Sequence, residues 1–193
     1  MFGYPLYLNL TILYTKIMKK TELRERAKLK RRSLDISGIS AGICRNIRSL
    51  DLYKRVESVM LFYPVVGEVN LLSLLNDDKS FYLPRVNGLE LEVCPYRSGD
   101  ELVLSSLKIP EPVTSPVNKS VPDIIFAPAL CVDKEFYRLG YGKGYYDRFA
   151  LGLEDKLFAV VADELVVDKI DTDEFDVRCA GYITEKKASF YRG

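Results

Sequence analysis

The sequence contains no histidine and no tryptophan among its 193 residues. Without histidine, catalysis by a Ser-His-Asp triad or a Cys-His pair is excluded. A zinc or copper site is not expected either, since imidazole is one of the main ligands of both metals. A bound metal should therefore be a hard ion held by oxygen atoms, and we expect magnesium before zinc.

Cysteine is scarce, and its four copies are widely scattered at Cys44, Cys94, Cys131 and Cys179. They form no Cys-x-x-Cys pair, so neither metal-ligand spacing nor a secreted disulfide framework is indicated. We predict buried, unpaired thiols that behave as small apolar side chains. This use of cysteine favours a reducing compartment and a cytoplasmic protein.

An excess of charge of either sign is also missing: 28 Lys and Arg face 27 Asp and Glu, a net charge of +1. No overall field favours nucleic acid or an anionic membrane, so any anion site must be local. Hydrophobic residues make up 48% of the chain, which is enough for one domain with a substantial core.

The first seventeen residues are apolar but make a poor targeting signal. No basic segment precedes them, Pro5 and Asn9 interrupt them, and they are too short to span a bilayer. The segment that begins at Met18 reads as a natural cytosolic start. We therefore expect residues 1–17 to be an N-terminal extension, either a non-native extended start or a poorly packed tail, and residues 18–193 to form a single domain.

Helical and strand-like segments alternate along the chain. Residues 19–34 and 39–50 favour helices, and "EVNLLSLL" favours a helix start with Glu68 near its positive end. Short apolar runs closed by proline read as buried strands in "SVMLFYP", "SFYLP", "LEVCP" and "DIIFAP", followed by "LFAVVAD" and "GYIT". The order predicts an α/β fold with a mixed, largely parallel central sheet. The proline-rich stretch "IPEPVTSPVNKSVPD" reads as an extended surface connection.

The most unusual segment is "RLGYGKGYYDRF", residues 138–149, in which Gly140, Gly142 and Gly144 alternate with other residues. It follows the strand "DIIFAP" and leads into a segment that can be helical, an arrangement typical of phosphate-binding loops. It matches neither the GxGxxG dinucleotide motif nor the Walker A loop, because Lys143 is not followed by Ser or Thr. From the residues alone, a phosphate loop and a purely structural turn both stay open.

This segment closely resembles the signature of the 5-formyltetrahydrofolate cyclo-ligase family, also called methenyltetrahydrofolate synthetase. Other segments resemble the family in the same order, over roughly residues 18–186. They are "KKTELRERAKLKRRSL", "FYPVVGEVN", "YLPRV", "IPEP", "DIIFAPALCVD" and "FDVRCAGYITE".

The resemblance implies a single three-layer α/β/α domain and an ATP-dependent ligase. Such an enzyme converts 5-formyltetrahydrofolate to 5,10-methenyltetrahydrofolate and releases ADP and phosphate, with Mg²⁺ as cofactor and ATP as co-substrate. The γ-phosphoryl group would activate the formyl oxygen, after which N10 attacks the carbon, so no histidine and no covalent nucleophile is needed. We expect a monomer that binds neither nucleic acid nor membrane.

The resemblance also implies roles for individual residues, with Lys143 and Arg138 as the catalytic cations. The ATP-binding positions would be Lys20, Arg24, Arg138, Leu139, Gly140, Tyr141, Gly142, Lys143, Gly144, Tyr145 and Tyr146. The folate-binding positions would be Tyr63, Glu68, Tyr141, Gly142, Lys143, Gly144 and Tyr145. A carboxylate suits the pterin, since it can accept two hydrogen bonds from the 2-amino-4-oxo edge. Alternatively, Glu68 is a helix N-terminal residue, and the tyrosines are packing aromatics.

Asp147 and Asp176 match the magnesium ligands of the family. Two carboxylates completed by water and phosphate oxygens suit this ion. An alternative for Asp147 is a helix cap or an ion pair with Arg148.

The chain departs from the family pattern at three places. Phe175 replaces a common His, "ADEL" around Asp163 and Glu164 replaces a segment with Gln, and Lys108 replaces a Gly before "IPEP".

Two further functions stay open at this stage. The chain could be a paralogue that keeps the ATP site and acts on another small amide or carboxylate. It could also be an RNA- or nucleotide-binding module, because residues 19–32 carry eight Lys or Arg against two Glu. Lys20 and Arg24 would then belong to a solvated basic face.

Overall fold

The structure is a computed structural model that describes residues 18–192. The expected N-terminal extension, residues 1–17, lies outside the described residues. Within this range the four α-helices are α1 (Lys20–Arg31), α2 (Ile36–Ser49), α3 (Asp51–Arg55) and α4 (Tyr145–Phe149). The predicted helices at 19–34 and 39–50 correspond to α1 and α2. Helix α2 begins earlier than predicted because the Asp35 carboxylate accepts a hydrogen bond from the Gly38 amide at 3.0 Å.

Twelve strands accompany these helices in the described part of the chain. The first six are β1 (Ser58–Met60), β2 (Ser80–Asn87), β3 (Glu90–Pro95), β4 (Leu102–Leu104), β5 (Pro110–Pro112) and β6 (Ile124–Pro128). The others are β7 (Cys131–Asp133), β8 (Arg138–Leu139), β9 (Leu157–Val160), β10 (Val166–Val167), β11 (Gly181–Ile183) and β12 (Ala188–Phe190).

Seven strands form the central sheet in the order β12-β11-β9-β6-β1-β2-β3. The five inner strands are parallel, and the two edge strands β12 and β3 are antiparallel to their neighbours. The predicted mixed, largely parallel α/β sheet is therefore confirmed.

Successive residues of the inner strands pack into two different cores, one on each face of the sheet. In β1, for example, Met60 packs with Leu23 of α1, whereas Val59 packs with Ile43 of α2. Such alternation follows from the two-residue repeat of a strand and buries both faces under helices. The three-layer α/β/α arrangement is thereby confirmed.

Three local predictions were wrong. Strand β2 does not end at Pro84 but continues to Asn87. The Tyr82 carbonyl accepts a hydrogen bond from the Leu61 amide, on the side of β2 that faces β1. Pro84 lies two residues further on, so the N–H that proline lacks would point to the same side. Because β1 has already ended there, no hydrogen bond is lost. "EVNLLSLL" forms only a 3₁₀ turn at Leu72–Asn76, and Glu68 precedes it. The glycine-rich loop follows β8 rather than β6, and its helix α4 spans only five residues.

The predicted extended connection "IPEPVTSPVNKSVPD" is partly ordered by pairing, since β5 at its start pairs with β4 as a short antiparallel hairpin. All four cysteines are buried and free of disulfide bonds, as predicted. None of the helices within residues 18–192 has the length and apolar character needed to cross a membrane.

The β4–β5 turn contains Lys108, which has a positive φ of 59°. A side chain is strained in this region, which explains the glycine common in the resembling family. We expect Lys108→Gly to raise the free energy of unfolding by about 0.5–1 kcal/mol. Urea denaturation measures this, with Lys108→Ala as the control, because alanine keeps the strained Cβ. Equal stability of the two variants would contradict the prediction.

Candidate active site at the glycine-rich loop

The glycine-rich loop, residues 140–144, connects β8 to α4. Gly142 and Gly144 have φ values of 97° and 67°, a region that side chains rarely adopt. The backbone can therefore make the tight path that brings Arg138, Lys143 and Asp147 to one place. Glycine is required at two of the three alternate positions, since Gly140 has no positive φ.

Three arginines from outside the loop hold it in place. Arg24 Nε donates to the Gly140 carbonyl at 2.9 Å, and Arg31 Nη1 donates to the Tyr141 hydroxyl at 2.8 Å. Arg148 Nη1 donates to the Lys143 carbonyl at 3.0 Å. The loop is thus held between α1 and α4 by hydrogen bonds within the protein, which lowers the cost of ordering it on binding.

A polar cavity of about 360 Å³ lies on one side of the loop. It carries cations from α1 and β8 and carboxylates from α4 and the segment 173–176. Its lining consists of Arg24, Arg138, Leu139, Gly140, Gly142, Gly144, Asp147, Arg148, Leu151, Asp173, Glu174, Phe175 and Asp176. Cations, backbone glycines and nearby carboxylates suit a phosphate chain with a divalent ion.

A second cavity of about 360 Å³ lies on the other side and is mainly apolar and aromatic. Its lining consists of Phe62, Tyr63, Val65, Glu68, Pro84, Val86, Leu91, Leu107, Ile109, Glu111, Pro128, Arg138, Tyr141, Lys143, Gly144, Tyr145 and Tyr146. A flat aromatic ligand fits such walls, and the two buried carboxylates can orient its N–H groups.

Arg138 lines both cavities and is only 5% exposed. Its Nη1 lies 3.2 Å from Asp147 Oδ1, and its guanidinium lies over the Tyr146 ring at 5.5 Å. Its Nε and Nη2 are buried and have no hydrogen-bond partner among residues 18–192. Buried donors without acceptors are costly, and these two nitrogens have the chemistry to pair with an anion in one of the cavities.

Comparisons with known proteins bear on this geometry. The family model of the 5-formyltetrahydrofolate cyclo-ligase family matches residues 16–185. The chain belongs to this family. A cyclo-ligase of Escherichia coli K12 is 28% identical over 67% of this chain and 79% of its own length. A cyclo-ligase of Mycolicibacterium smegmatis is 33% identical over 51% of this chain, and the match spans about half (53%) of that relative.

Solved structures agree with the family. The 5,10-methenyltetrahydrofolate synthetase of Aquifex aeolicus superposes with a TM-score of 0.80 and 32% identity, covering 91% of this chain and 94% of that one. A 5,10-methenyltetrahydrofolate synthetase from Mycoplasma pneumoniae shares the fold, with a TM-score of 0.69 and 21% identity over 87% and 99% of the two chains. The expectation that the chain is an enzyme of the cyclo-ligase family is confirmed.

The cyclo-ligase fold brings nearly all the predicted site residues to the two cavities. The polar cavity holds Arg24, Arg138, Leu139, Gly140, Gly142, Gly144, Asp147 and Asp176. The apolar cavity holds Tyr63, Glu68, Tyr141, Lys143, Tyr145 and Tyr146, together with Arg138 and Gly144. Lys20 lines neither cavity, but its ammonium contacts Asp173 at 2.6 Å and Asp176 at 2.5 Å.

Asp147 and Asp176 each use one carboxylate oxygen within the protein. Asp147 Oδ1 contacts Arg138 and accepts from the Val177 amide at 3.4 Å. Asp176 Oδ2 contacts Lys20 and accepts from the Asp173 amide at 2.7 Å. Burial opposes the charge on Lys20, but its hydrogen bonds to the two carboxylates outweigh it and raise its pKa. Asp147 does not pair with Arg148, so that alternative was wrong.

Glu68 is buried in the apolar cavity, where its Oε2 accepts from the Val65 amide at 2.9 Å. Burial raises its pKa, against the opposing effects of this bond, of the Tyr141 hydroxyl and of the Arg31 charge. Burial and the Glu68 charge raise the pKa of Tyr141 to about 12. Glu68 begins no helix, so the alternative role at a helix N-terminus was wrong.

Sequence reasoning missed two residues that shape the site. Arg31 contacts both the Gly67 carbonyl and Tyr141, and thus ties the glycine-rich loop to the turn before Glu68. Asp133 is fully buried, and its carboxylate accepts three backbone hydrogen bonds at 2.9 Å from Glu135, Tyr137 and Ile170. It fixes the β7–β8 hairpin that carries Arg138. The one available signal was an aspartate directly after a buried apolar strand.

Helix α1 is not a uniformly solvated basic face. Lys20, Arg24 and Arg31 point toward the loop and the polar cavity, as described above. Other cations of α1 form ion pairs, such as Lys30 with Glu164 at 2.9 Å and Lys28 with Glu25 at 2.8 Å.

Of the departures from the family pattern, Phe175 is 74% exposed at the edge of the polar cavity. Asp163 lies elsewhere, bonded to Thr184 and Lys186.

Proposed function

We propose that this cyclo-ligase converts 5-formyltetrahydrofolate to 5,10-methenyltetrahydrofolate while ATP becomes ADP and phosphate. Family membership and the relatives' names support the folate reaction. The two cavities support the use of two substrates. ATP would occupy the polar cavity, and the folate would occupy the apolar one.

The observation that carries this proposal is the wall between the cavities. Arg138 and Gly144 line both, and each cavity is large enough for a small-molecule ligand. A γ-phosphoryl group at this wall meets the folate formyl oxygen with no need for an enzyme-bound intermediate. Catalysis then rests on holding both groups in line and on stabilising phosphoryl charge.

Each chain element has a task in this reaction. The backbone at Gly142 and Gly144 approaches the phosphates closely, and Arg24 and Lys20 supply charge from α1. Arg138 and Lys143 stabilise the negative charge on the transferring group. Glu68 orients the pterin through its N–H groups, while Tyr63, Tyr145 and Tyr146 pack against the rings and exclude water.

The residues present also fit a magnesium ion. Asp147 and Asp176 line the same cavity, and Asp147 Oδ2 and Asp176 Oδ1 accept no hydrogen bond within residues 18–192. No group of three or more acidic, Cys or His residues that could hold a metal occurs in this part of the chain. One or two carboxylates suit Mg²⁺, which keeps several waters and shares phosphate oxygens. When bound, it would neutralise phosphate charge.

We further propose a cytoplasmic monomer. The buried, unpaired thiols support a reducing compartment. Burial raises the pKa of Cys179 to about 11 and that of Cys131 to about 12, so neither is a reactive thiolate.

The inward contacts of Lys20, Arg24 and Arg31 support a role of α1 in the nucleotide site rather than in RNA binding.

The direct test of the activity follows absorbance at the methenyl-folate band. Purified protein is mixed with 5-formyltetrahydrofolate, ATP and Mg²⁺, and each component is omitted in turn. We expect a rise that requires all three. A flat trace from folded protein that still binds ATP would overturn the substrate and indicate a paralogue that acts on another small amide or carboxylate.

Glu68→Gln should raise the folate KM about tenfold or more with a smaller change in kcat, because the amide offers the pterin one acceptor in place of a carboxylate. Burial raises the pKa of Glu68 above 4.5, the ordinary value for glutamate. As the pH falls, the carboxylate should therefore become protonated already above pH 4.5, and the wild-type KM should rise with it. Steady-state kinetics measure both effects. An unchanged KM in Glu68→Gln would remove the residue from the pterin site.

Asp147→Ala should shift the Mg²⁺ concentration for half-maximal activity upward by about tenfold or more, since a direct ligand is lost. The matched control is Asp155→Ala, at an exposed aspartate beyond α4. A magnesium titration of the rate, with circular dichroism as the check on folding, gives the comparison. Identical titration curves for wild type and Asp147→Ala would exclude the aspartate as a ligand.

A further inference from the structure

Glu111 lies in the middle of β5 and is only 6% exposed. It lines the apolar cavity. Within residues 18–192 its carboxylate takes part in no ion pair and no hydrogen bond. The nearest cation, Arg85 of β2, acts on Glu111 through its charge but bonds to Glu92 of β3 at 2.8 Å. A carboxylate on a cavity wall that no protein group bonds is suited to pair with a ligand group.

The other carboxylate of this cavity has a different task in the proposed function. Glu68 accepts the Val65 amide, lies beside the Tyr141 hydroxyl and would orient the pterin. Of the cations that line this cavity, Arg138 also lines the polar one. Glu111 is therefore the carboxylate left for a folate donor outside the pterin edge. Its neighbours Leu107 and Ile109 make this part of the wall apolar.

The proposed reaction releases a proton that some group must accept. The inference below rests on that proposed function. N10 of the substrate carries one hydrogen, whereas N10 of the methenyl product carries none. A proton must leave N10 as the new ring closes. In this mainly apolar cavity, a positioned carboxylate is the natural acceptor.

We infer that Glu111 is a catalytic residue that accepts the N10 proton. In the first step the formyl oxygen bonds to the γ-phosphorus, and the bond from that phosphorus to ADP breaks. The N10 lone pair then forms the bond to the formyl carbon, and the N10 proton passes to Glu111. The bond from carbon to oxygen breaks last, its electrons leave with phosphate, and the cationic N5–C–N10 unit remains opposite the cavity carboxylates.

The test separates the two halves of the reaction by rapid quench. Wild-type protein and Glu111→Gln are mixed with saturating 5-formyltetrahydrofolate, ATP and Mg²⁺, and ADP and methenyl product are followed in one turnover. We expect Glu111→Gln to form ADP at a rate within about threefold of wild type. Its methenyl product should form on the order of 10²-fold more slowly, with the folate KM changed less than twofold.

Two further variants make the result specific. Glu101→Gln, at an exposed position just before β4, should match wild type in both steps. Glu111→Asp keeps the carboxylate with a shorter reach and should recover part of the slow step. In Glu111→Gln we expect ADP to form well before the methenyl absorbance rises. In Glu111→Asp the lag between ADP and methenyl product should be shorter.

Other outcomes would overturn the inference. If ADP and methenyl formation slow together, or if only the folate KM rises, Glu111 acts in binding and not as the base. If Glu111→Gln fails to fold, Glu111→Asp decides the matter, because a folded Glu111→Asp with no lag between ADP and product would also reject the base. Failure of the proposed function looks different, since wild-type protein would then form no methenyl product at all.

Discussion

Arg138→Met should lower kcat on the order of 10³-fold or more, a loss comparable to that of an arginine which stabilises phosphoryl transfer. The side chain borders both cavities, and its Nε and Nη2 have no partner among the described residues. These two donors are therefore available for charge that develops on the transferring group. The measurement is the steady-state rate of methenyl formation at saturating substrates.

The stability of Arg138→Met separates catalysis from folding. A buried donor without a partner costs about 1–3 kcal/mol, so its removal offsets the loss of the contact to Asp147. We expect thermal unfolding within a few degrees of wild type. Arg138→Lys keeps a charge but not the planar fork, and it should recover only part of the rate. Wild-type kcat in Arg138→Met would remove this residue from the mechanism.

Lys143→Ala should lower kcat on the order of 10²-fold or more if its ammonium meets transition-state charge. Lys143 lies at the centre of the glycine-rich loop and lines the apolar cavity near the shared wall. Its backbone is held independently of its side chain, because Arg148 bonds to its carbonyl. The alanine variant should therefore keep the loop path and lose only the charge.

A matched surface variant is available for this experiment. Lys134→Ala removes a lysine that pairs with Asp168 at the surface, and we expect it to retain wild-type kcat. Lys143→Arg keeps the charge and should retain more activity than Lys143→Ala. Equal rates for Lys143→Ala and Lys134→Ala would contradict a role for Lys143 in the chemical step.

The sequence predicted elements whose signals are local. Helices α1 and α2 follow from composition and apolar spacing, and the inner strands follow from short apolar runs. The exceptions depended on neighbours. Pro84 is tolerated inside β2 only because β1 ends beside it, and the short helix α4 could not be told from a longer one by its residues. Strand lengths and partners are decided by packing that a single sequence does not display.

The site residues, too, were predicted only where their signal in the sequence is local. The glycine-rich loop was visible because positive φ values and phosphate contact demand a particular composition. The contacts of Arg31 with Gly67 and Tyr141, and that of Asp133 with Ile170, were not visible, since these partners lie far away in the chain. Glu111 was hidden for another reason. In "IPEP" it reads as an exposed residue between prolines, and only the pairing of β5 with β4 and the closure of the cavity bury it.

Isotopic labelling of the formyl oxygen tests most directly whether a phosphoryl group activates it. The protein is supplied with 5-formyltetrahydrofolate labelled with ¹⁸O in the formyl group, together with ATP and Mg²⁺, and the released phosphate is analysed by mass. We expect one labelled oxygen in each phosphate, because the formyl oxygen leaves bonded to the γ-phosphorus. Unlabelled phosphate formed alongside methenyl product would contradict phosphoryl activation at the wall shared by the two cavities.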